Sequence, residues 1–272
     1  MTKRLRLFQY SVLAVFVVYA LAPVYLVLLA SIRSEADLFS GPLSLPWPID
    51  LSNYKRVWFD SGFAQYFLNS VVISSSVTLI VMVTAPLAGF AFAKLSFKYK
   101  EMVFALFLAG LVVPAPSVIV ALYGNLNTLG LLDTRLGVVL PQAALLLPFS
   151  VFMMRTVMEE VPNELIEASI VDGASIAKAF ALIVLPIVRP GLMSLALITF
   201  LFSWQEYLLP LVVIQDETLK PLTVGAATLQ GRYGVDYGGI AAAGVIAFAP
   251  VVLLFLVMQR SFVRGLTAGA VK

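Results

Sequence analysis

Residues 164–192 read "ELIEASIVDGASIAKAFALIVLPIVRPGL" and interrupt an otherwise greasy chain. Glu164, Glu167 and Asp172 fall within nine residues, Gly173 stands near the centre, and Pro186 and Pro190 come towards the end. "NELIEASIV" predicts a short helix with Asn163 as its N-cap and carboxylates in its first turns. Gly173 permits a turn, "ASIAKAFALIV" predicts a second short helix, and the two prolines mark re-entry into an apolar run. A helix–turn–helix with exposed carboxylates suits docking to a soluble partner. An ordinary solvated loop fits the same spacing equally well.

The flanking sequence decides what this stretch interrupts. The chain has 272 residues, 61% hydrophobic and 12% charged, with a mean hydropathy of +0.97. So few charges cannot cover the surface of a soluble domain of this composition, so the chain is integral to a membrane, in contact with lipid. A net charge of +3 with no Lys/Arg cluster gives no nucleic-acid face. There is no cysteine and no histidine. That removes disulfides, thiolate chemistry, the usual zinc sets and the Ser-His-Asp triad. No G-x-x-x-x-G-K-[ST] stretch is present to cradle a nucleotide. The chain therefore calls for no metal and no cofactor of its own.

A helix spanning the hydrocarbon needs about 20 mostly apolar residues. Six segments qualify: residues 11–30, 69–93, 102–123, 137–158, 190–210 and 240–258. The first follows "KRLR" as a secretory signal would, but its apolar run is long and no A-x-A site follows. With the N-terminus inside, inner segments hold twelve and outer segments six of the 18 Lys and Arg. The positive-inside bias thus puts both termini and the loop at about 160–186 in the cytoplasm, with residues 32–68 and 211–239 outside.

Glu167-Ala168-Ser169, Gly173 four positions on, then Ile183 and Leu185-Pro186 resemble the EAA loop of ATP-binding-cassette importer permeases, with Ser169 replacing a small residue. "NYKRVW", "FAQYFLNS", "LNTLGLLDTRLGVVLP", "FSWQEYLLPL" and the ending "RSFVRGLTAGAVK" are similar to the carbohydrate-uptake, maltose-type branch; Gln205 stands where Asn is usual. The resemblance implies an all-α type I importer transmembrane domain: one permease domain over residues 1–272, with six transmembrane helices, in a prokaryotic inner membrane. It implies a heterodimer with a second permease, two ATPase subunits that carry ATP and Mg²⁺, and an extracellular or periplasmic solute-binding protein. Glu167, Ala168, Ser169, Asp172, Gly173, Leu185 and Pro186 would then couple transport to the ATPases. The tail at 259–272, with Gly265, Thr267, Gly269 and Lys272, would enter the interface between them; composition alone reads it as a frayed end.

Polar side chains within spans mark pathways. Gln142 in the fourth span and Ser203, Trp204, Gln205 and Glu206 in the fifth are the candidates for lining a sugar path. On a continuous helix from Pro190, Glu206 lies about 24 Å along, near the outer interface, where an anchor shared with Tyr207 is the plainer reading. The serines and threonines of span two fit packing or bonds to their own backbone. "GRYGVDYGG" fits a plain connector; the resemblance implies a loop reaching into the binding protein. "GGIAAAG" fits close helix packing.

The cargo implied is a di- or oligosaccharide, since no Lys or Arg lies near a span centre to favour a phosphate. A polyol or glycerol-phosphate compound is the alternative. A free-standing secondary carrier would show inverted repeats and midplane charges, and a membrane enzyme a deeper polar constellation. Neither is evident.

Overall fold

The computed structural model describes residues 3–34, 37–38, 45–231 and 234–268, without the side chains of 3–5, 7, 228, 230–235 and 260–268. Ten helices carry the account: α1 Lys3–Ser31, α2 Phe63–Lys94, α3 Lys100–Ala109, α4 Ala115–Thr128 and α5 Arg135–Glu159. They continue as α6 Asn163–Val171, α7 Ile176–Ile187, α8 Arg189–Trp204, α9 Leu208–Val213 and α10 Tyr237–Ala268. The described strands are Gln230–Gly231 and Gly234–Val235, an antiparallel pair two residues long.

Among the described residues, four helices are long and apolar enough to cross a membrane: Phe8–Ser31, Phe63–Lys94, Arg135–Glu159 and the Tyr237–Gln259 part of α10. A fifth crossing exists if α7 and α8, bent by 78° at Val188, form one broken span. The expected continuous helix over 102–123 is divided instead into α3, of 10 residues, and α4, of 14. Pro114 adopts ψ 128° ahead of α4, and Pro116 follows within its first turn. A proline lacks the helix donor and disfavours the α region for its predecessor. Here two prolines two positions apart break the apolar run, whereas single prolines such as Pro86 in α2 and Pro148 in α5 are accommodated within their helices. Likewise the expected span 190–210 is interrupted after Trp204 and becomes helical again only at Leu208, the start of α9. Pro210 would press on the carbonyl of Glu206 in a continuous helix. That carbonyl instead accepts a hydrogen bond from Thr223 Oγ1 at 2.7 Å.

The chain forms two compact units. The first comprises Met1–Phe67 and Gly225–Pro250. Here Asn53 Nδ2 donates to the carbonyls of Ser31 and Arg33, and Arg56 grips Asp236 through Nη2 at 2.8 Å. Asp236 also accepts from the Gly239 amide at 2.7 Å, capping the start of α10. A Cβ on Gly238 would sit 2.7 Å from Asn53, so the small-residue run does permit the close approach its composition suggests.

The second unit comprises Leu68–Val224 and Val251–Lys272. Its core is an apolar cluster that includes Val77, Val81, Phe90, Val151, Met154, Met158, Val184 and Leu195. α5 is its central rod. A Cβ on Gly89 of α2 would lie 2.7 Å from Met154, and one on Gly191 of α8 would lie 2.8 Å from Val157. Both neighbours therefore pack backbone-close along the second half of α5. In α2, Thr78 and Thr84 donate to the carbonyls of Ser74 and Ile80, the self-bonding expected of them. Asn69 and Ser70 do something else: they bind the carbonyls of Thr218 and Lys220 and the amide of Leu222.

Candidate functional site: a projecting helix pair and an amide-lined cavity

α6 begins at Asn163, with Pro162 as its N-cap, so Asn163 is not the cap that its sequence position suggests. Proline supplies the extended φ/ψ of a cap, and the Asn163 side chain is engaged elsewhere, accepting from Lys94 Nζ at 2.8 Å. α6 buries no residue. Glu167, Ala168 and Asp172 are exposed, and the half-buried Ser169 donates to the Ile166 carbonyl at 2.7 Å. Leu165, Ile170 and Val171 are exposed beside them, Val171 to 86%.

The turn follows a Schellman pattern. The Gly173 amide donates to the Ile170 carbonyl and the Ala174 amide to that of Ser169, both at 2.9 Å. Gly173 takes φ +85°, a left-handed conformation costly to a residue with a Cβ. Ser175 then caps α7 by accepting from the Lys178 amide.

α7 turns inward where α6 does not. Ala179 and Val184 are buried, and the Phe180 ring meets Phe90 of α2 at 4.9 Å. A π-turn over Phe180–Val184 precedes Leu185 and Pro186. Leu185 is half-buried against the core and Pro186 exposed. The 78° bend follows, as expected where Pro190 would press on the carbonyl four residues back.

A second feature lies between α4, α5 and the break after α8. A cavity of about 210 Å³ is lined by Ala115, Ile119, Leu122, Gln142, Leu145, Leu146, Phe202, Ser203, Glu206, Leu208 and Leu209. Gln142 is 5% exposed, and its Oε1 accepts from Ser203 Oγ at 2.6 Å. Its Nε2 is buried without a partner. An unmatched amide donor beside a cavity costs about 1–3 kcal/mol, and a ligand oxygen would relieve that cost.

Of the five pathway candidates, the structure brings Gln142, Ser203 and Glu206 together here. Glu206 Oε1 accepts from the Leu209 amide at 3.1 Å, capping α9 rather than anchoring a continuous helix. Trp204 is buried and stacks on Phe200 at 5.5 Å, and Gln205 is exposed; neither lines this cavity. Gly265 and Thr267 fall in the last turns of α10, which continues past the expected end of the span, and their surroundings are not described. Gly269 and Lys272 lie outside the described residues.

Sequence reading passed over the charged groups at either end of α5. Arg155 bonds Glu101 at 3.0 Å and Glu159 at 2.7 Å and lies over the Phe104 ring. At the other end, the Asp133 carboxylate accepts from the amides of Gln215 and Asp216. Those two amides, Asp216 first, hold the Asp133 carboxyl below its usual value. Only the i,i+4 pair of Arg155 and Glu159 carried a local signal.

A helical subunit with several apolar spans presents an exposed helix, α6, joined by a tight turn to α7, which packs into its core. Residues 85–268 match the model of the binding-protein-dependent transport system inner membrane component. The chain belongs to that family, whose members are transport subunits of ATP-binding-cassette importers rather than enzymes. It is 33% identical to the diacetylchitobiose uptake system permease of Streptomyces coelicolor, over 98% of this chain and 89% of that protein. It is 30% identical to the melibiose/raffinose/stachyose import permease of Bacillus subtilis, over 92% and 91%. In fold it matches a chain of the crystal structure of a bacterial ABC transporter importing the acidic polysaccharide alginate. That match has a TM-score of 0.84 at 22% identity, over 96% of this chain and 99% of the other.

Proposed function

We propose that the chain is the permease subunit of an ATP-driven importer of a neutral di- or oligosaccharide, receiving its cargo from an extracellular binding protein. The observation that carries the reading is α6: an amphipathic helix that buries nothing, held out on a Schellman turn and carrying the EAA-type residues. A solvated connector has no need to fix its backbone so firmly or to expose Leu165, Ile170 and Val171 together. Glu167 and Asp172 would meet basic groups of a cytoplasmic ATPase, where ATP and Mg²⁺ reside. A second permease completes the pathway, and the tail 259–272 enters the interface between the two ATPases. On this reading the whole chain acts as one permease domain with both termini in the cytoplasm.

The sugar assignment draws on the relatives' cargoes and on the Gln142 cavity. An amide donor beside apolar walls suits a sugar hydroxyl, while its lining lacks a cation for a phosphate. Two experiments test the proposal. Chitooligosaccharides, melibiose, raffinose and trehalose are titrated into the cognate binding protein, and the loaded protein is added to the reconstituted importer. Tight binding of one sugar and stimulated ATP hydrolysis are expected. Failure of every sugar to bind would overturn the cargo. Labelling of a Ser175→Cys variant from outside intact cells would overturn the orientation.

A further inference from the structure

We infer that Lys94 is a positioning residue that locks the projecting pair to the body of the subunit, so that movement of α6 is passed to α5. The inference rests on the reading of α6 and α7 as the docking element. Lys94 is the last residue of α2. Its ammonium donates to the Val161 carbonyl at 2.5 Å, to Asn163 Oδ1 at 2.8 Å and to the Glu159 carbonyl at 3.5 Å. These three acceptors bracket Pro162, the hinge between α5 and α6.

The chemistry at this joint is specific. The last carbonyls of a helix have no partner within it, and they form the negative end of its dipole. One ammonium has three donors, so it can satisfy the end of α5 and hold the first side chain of α6 at once. Pro162 has no amide to make such a bond itself. Lys94 is also well placed to transmit force, because α2 cannot slide on α5. Gly89 brings the backbones so close that an added Cβ would lie 3.0 Å from the Arg155 amide nitrogen. At this end α6 gains little from packing, with Ile166 half-buried and no residue fully buried, while its other end is held by the turn at Gly173. Without the ammonium, displacement of α6 would be absorbed at Pro162. With it, α5 moves too, and Gln142 stands on that helix about 26 Å from Glu159 at roughly 1.5 Å per residue.

The test uses the complete importer in lipid vesicles, with spin labels at Thr156→Cys and Val171→Cys as its only labelled sites. A single narrow distance is expected with Lys94 and a broadened distribution in Lys94→Met, with Lys94→Arg restoring most of the order. In unlabelled vesicles given Mg-ATP, Lys94→Met should keep basal hydrolysis and lower stimulation by the binding protein at least about tenfold, the effect of losing even one of its three hydrogen bonds from a charged donor. Should Lys94→Met fail to assemble, Asn163→Ala, which removes one acceptor and no charge, decides by the same two readouts. An unchanged distribution and unchanged stimulation would overturn the inference. Gly173→Leu separates the two levels. If it abolishes stimulation while the Lys94 and Asn163 variants behave normally, only the role of Lys94 falls; if it too is silent, the docking reading falls.

Discussion

The two ends of α5 are fastened by different chemistry. At its start, Arg135 donates to Asn69 Oδ1 at 2.9 Å, and Asn69, 1% exposed, donates on to the carbonyls of Thr218 and Lys220. Asp133 takes the amides of Gln215 and Asp216, so side chains there grip the backbone of residues 214–224. At its other end, Arg155 pairs with two glutamates that are 70% and 48% exposed, and the helix beyond Pro162 buries nothing. At the start of α5 the buried Asn69 holds one geometry, and the exposed Asp133 adds two more backbone bonds. At the other end the bonds of Lys94 to the Glu159 and Val161 carbonyls are joined only by ion pairs to exposed glutamates, which are weak and screened by salt. One end of the rod is built as a fixed mount and the other as a joint.

The largest effect should come from the joint. No atom lies within 4 Å of a Cβ placed on Gly173, so a side chain there meets only conformational strain, roughly 1–2 kcal/mol for an ordinary L-residue in the left-handed region. Gly173→Leu and Glu167→Lys should insert normally yet lose most stimulated ATP hydrolysis. Gly173→Asn should retain it, because Asn tolerates that conformation. Equal loss in the Asn and Leu variants would show that the turn's handedness is irrelevant.

At mid-rod the expected changes are smaller and opposite in kind. Ser203→Ala leaves Gln142 Oε1 buried without its donor and should lower thermal stability by about 1–3 kcal/mol. Gln142→Leu removes the orphaned Nε2 and should change stability by less than about 1 kcal/mol while slowing sugar uptake. Equal destabilisation by both would mean that the amide is structural and not held for a ligand.

The mount should answer to acid. Asp133 has its carboxyl pKa lowered by the Asp216 and Gln215 amides from the ordinary 3.8. A depressed carboxyl contributes stability above its unfolded value, and that contribution is lost as pH falls through the lower folded value. A spin label at Gln215→Cys should therefore stay immobile down to about pH 4 and loosen only below it. Asp133→Asn should be loose throughout, and an equally rigid label in that variant would remove Asp133 from the mount. The smallest effect belongs to Glu217→Ala. It breaks the short-range pair with Lys220, in which Glu217 is 61% exposed, and should change stability by less than about 0.5 kcal/mol.

Much of this was legible in the residues. Hydropathy marked the apolar runs, and the spacing of Glu167, Gly173 and Pro186 marked the projecting pair. Gly173 did take the left-handed turn its position called for. The span breaks and the misassigned cap were all at prolines, whereas Trp204 and Gln205, expected to line the path, stand away from the cavity. Pro114 and Pro116 split one expected span, another breaks between Trp204 and Leu208 ahead of Pro210, and Pro162 took the capping place assigned to Asn163. Window hydropathy is blind to such breaks because proline scores as only mildly polar while removing a donor and a conformation.

By itself, then, the sequence determined that the chain lives in lipid, that it carries no histidine or cysteine chemistry, and that an acidic helical interlude punctuates it. Those properties follow from composition and local spacing, which folding cannot alter. Only the tertiary structure decided that Ser203 would meet Gln142, that Asn69 would hold residues 214–224, and that Lys94 would close the joint at Pro162. Those partners stand 61, 149 and 67 positions apart, and no periodicity reaches so far. Buried polar groups must find donors and acceptors wherever helix packing brings them, and that packing is set by the whole bundle around α5.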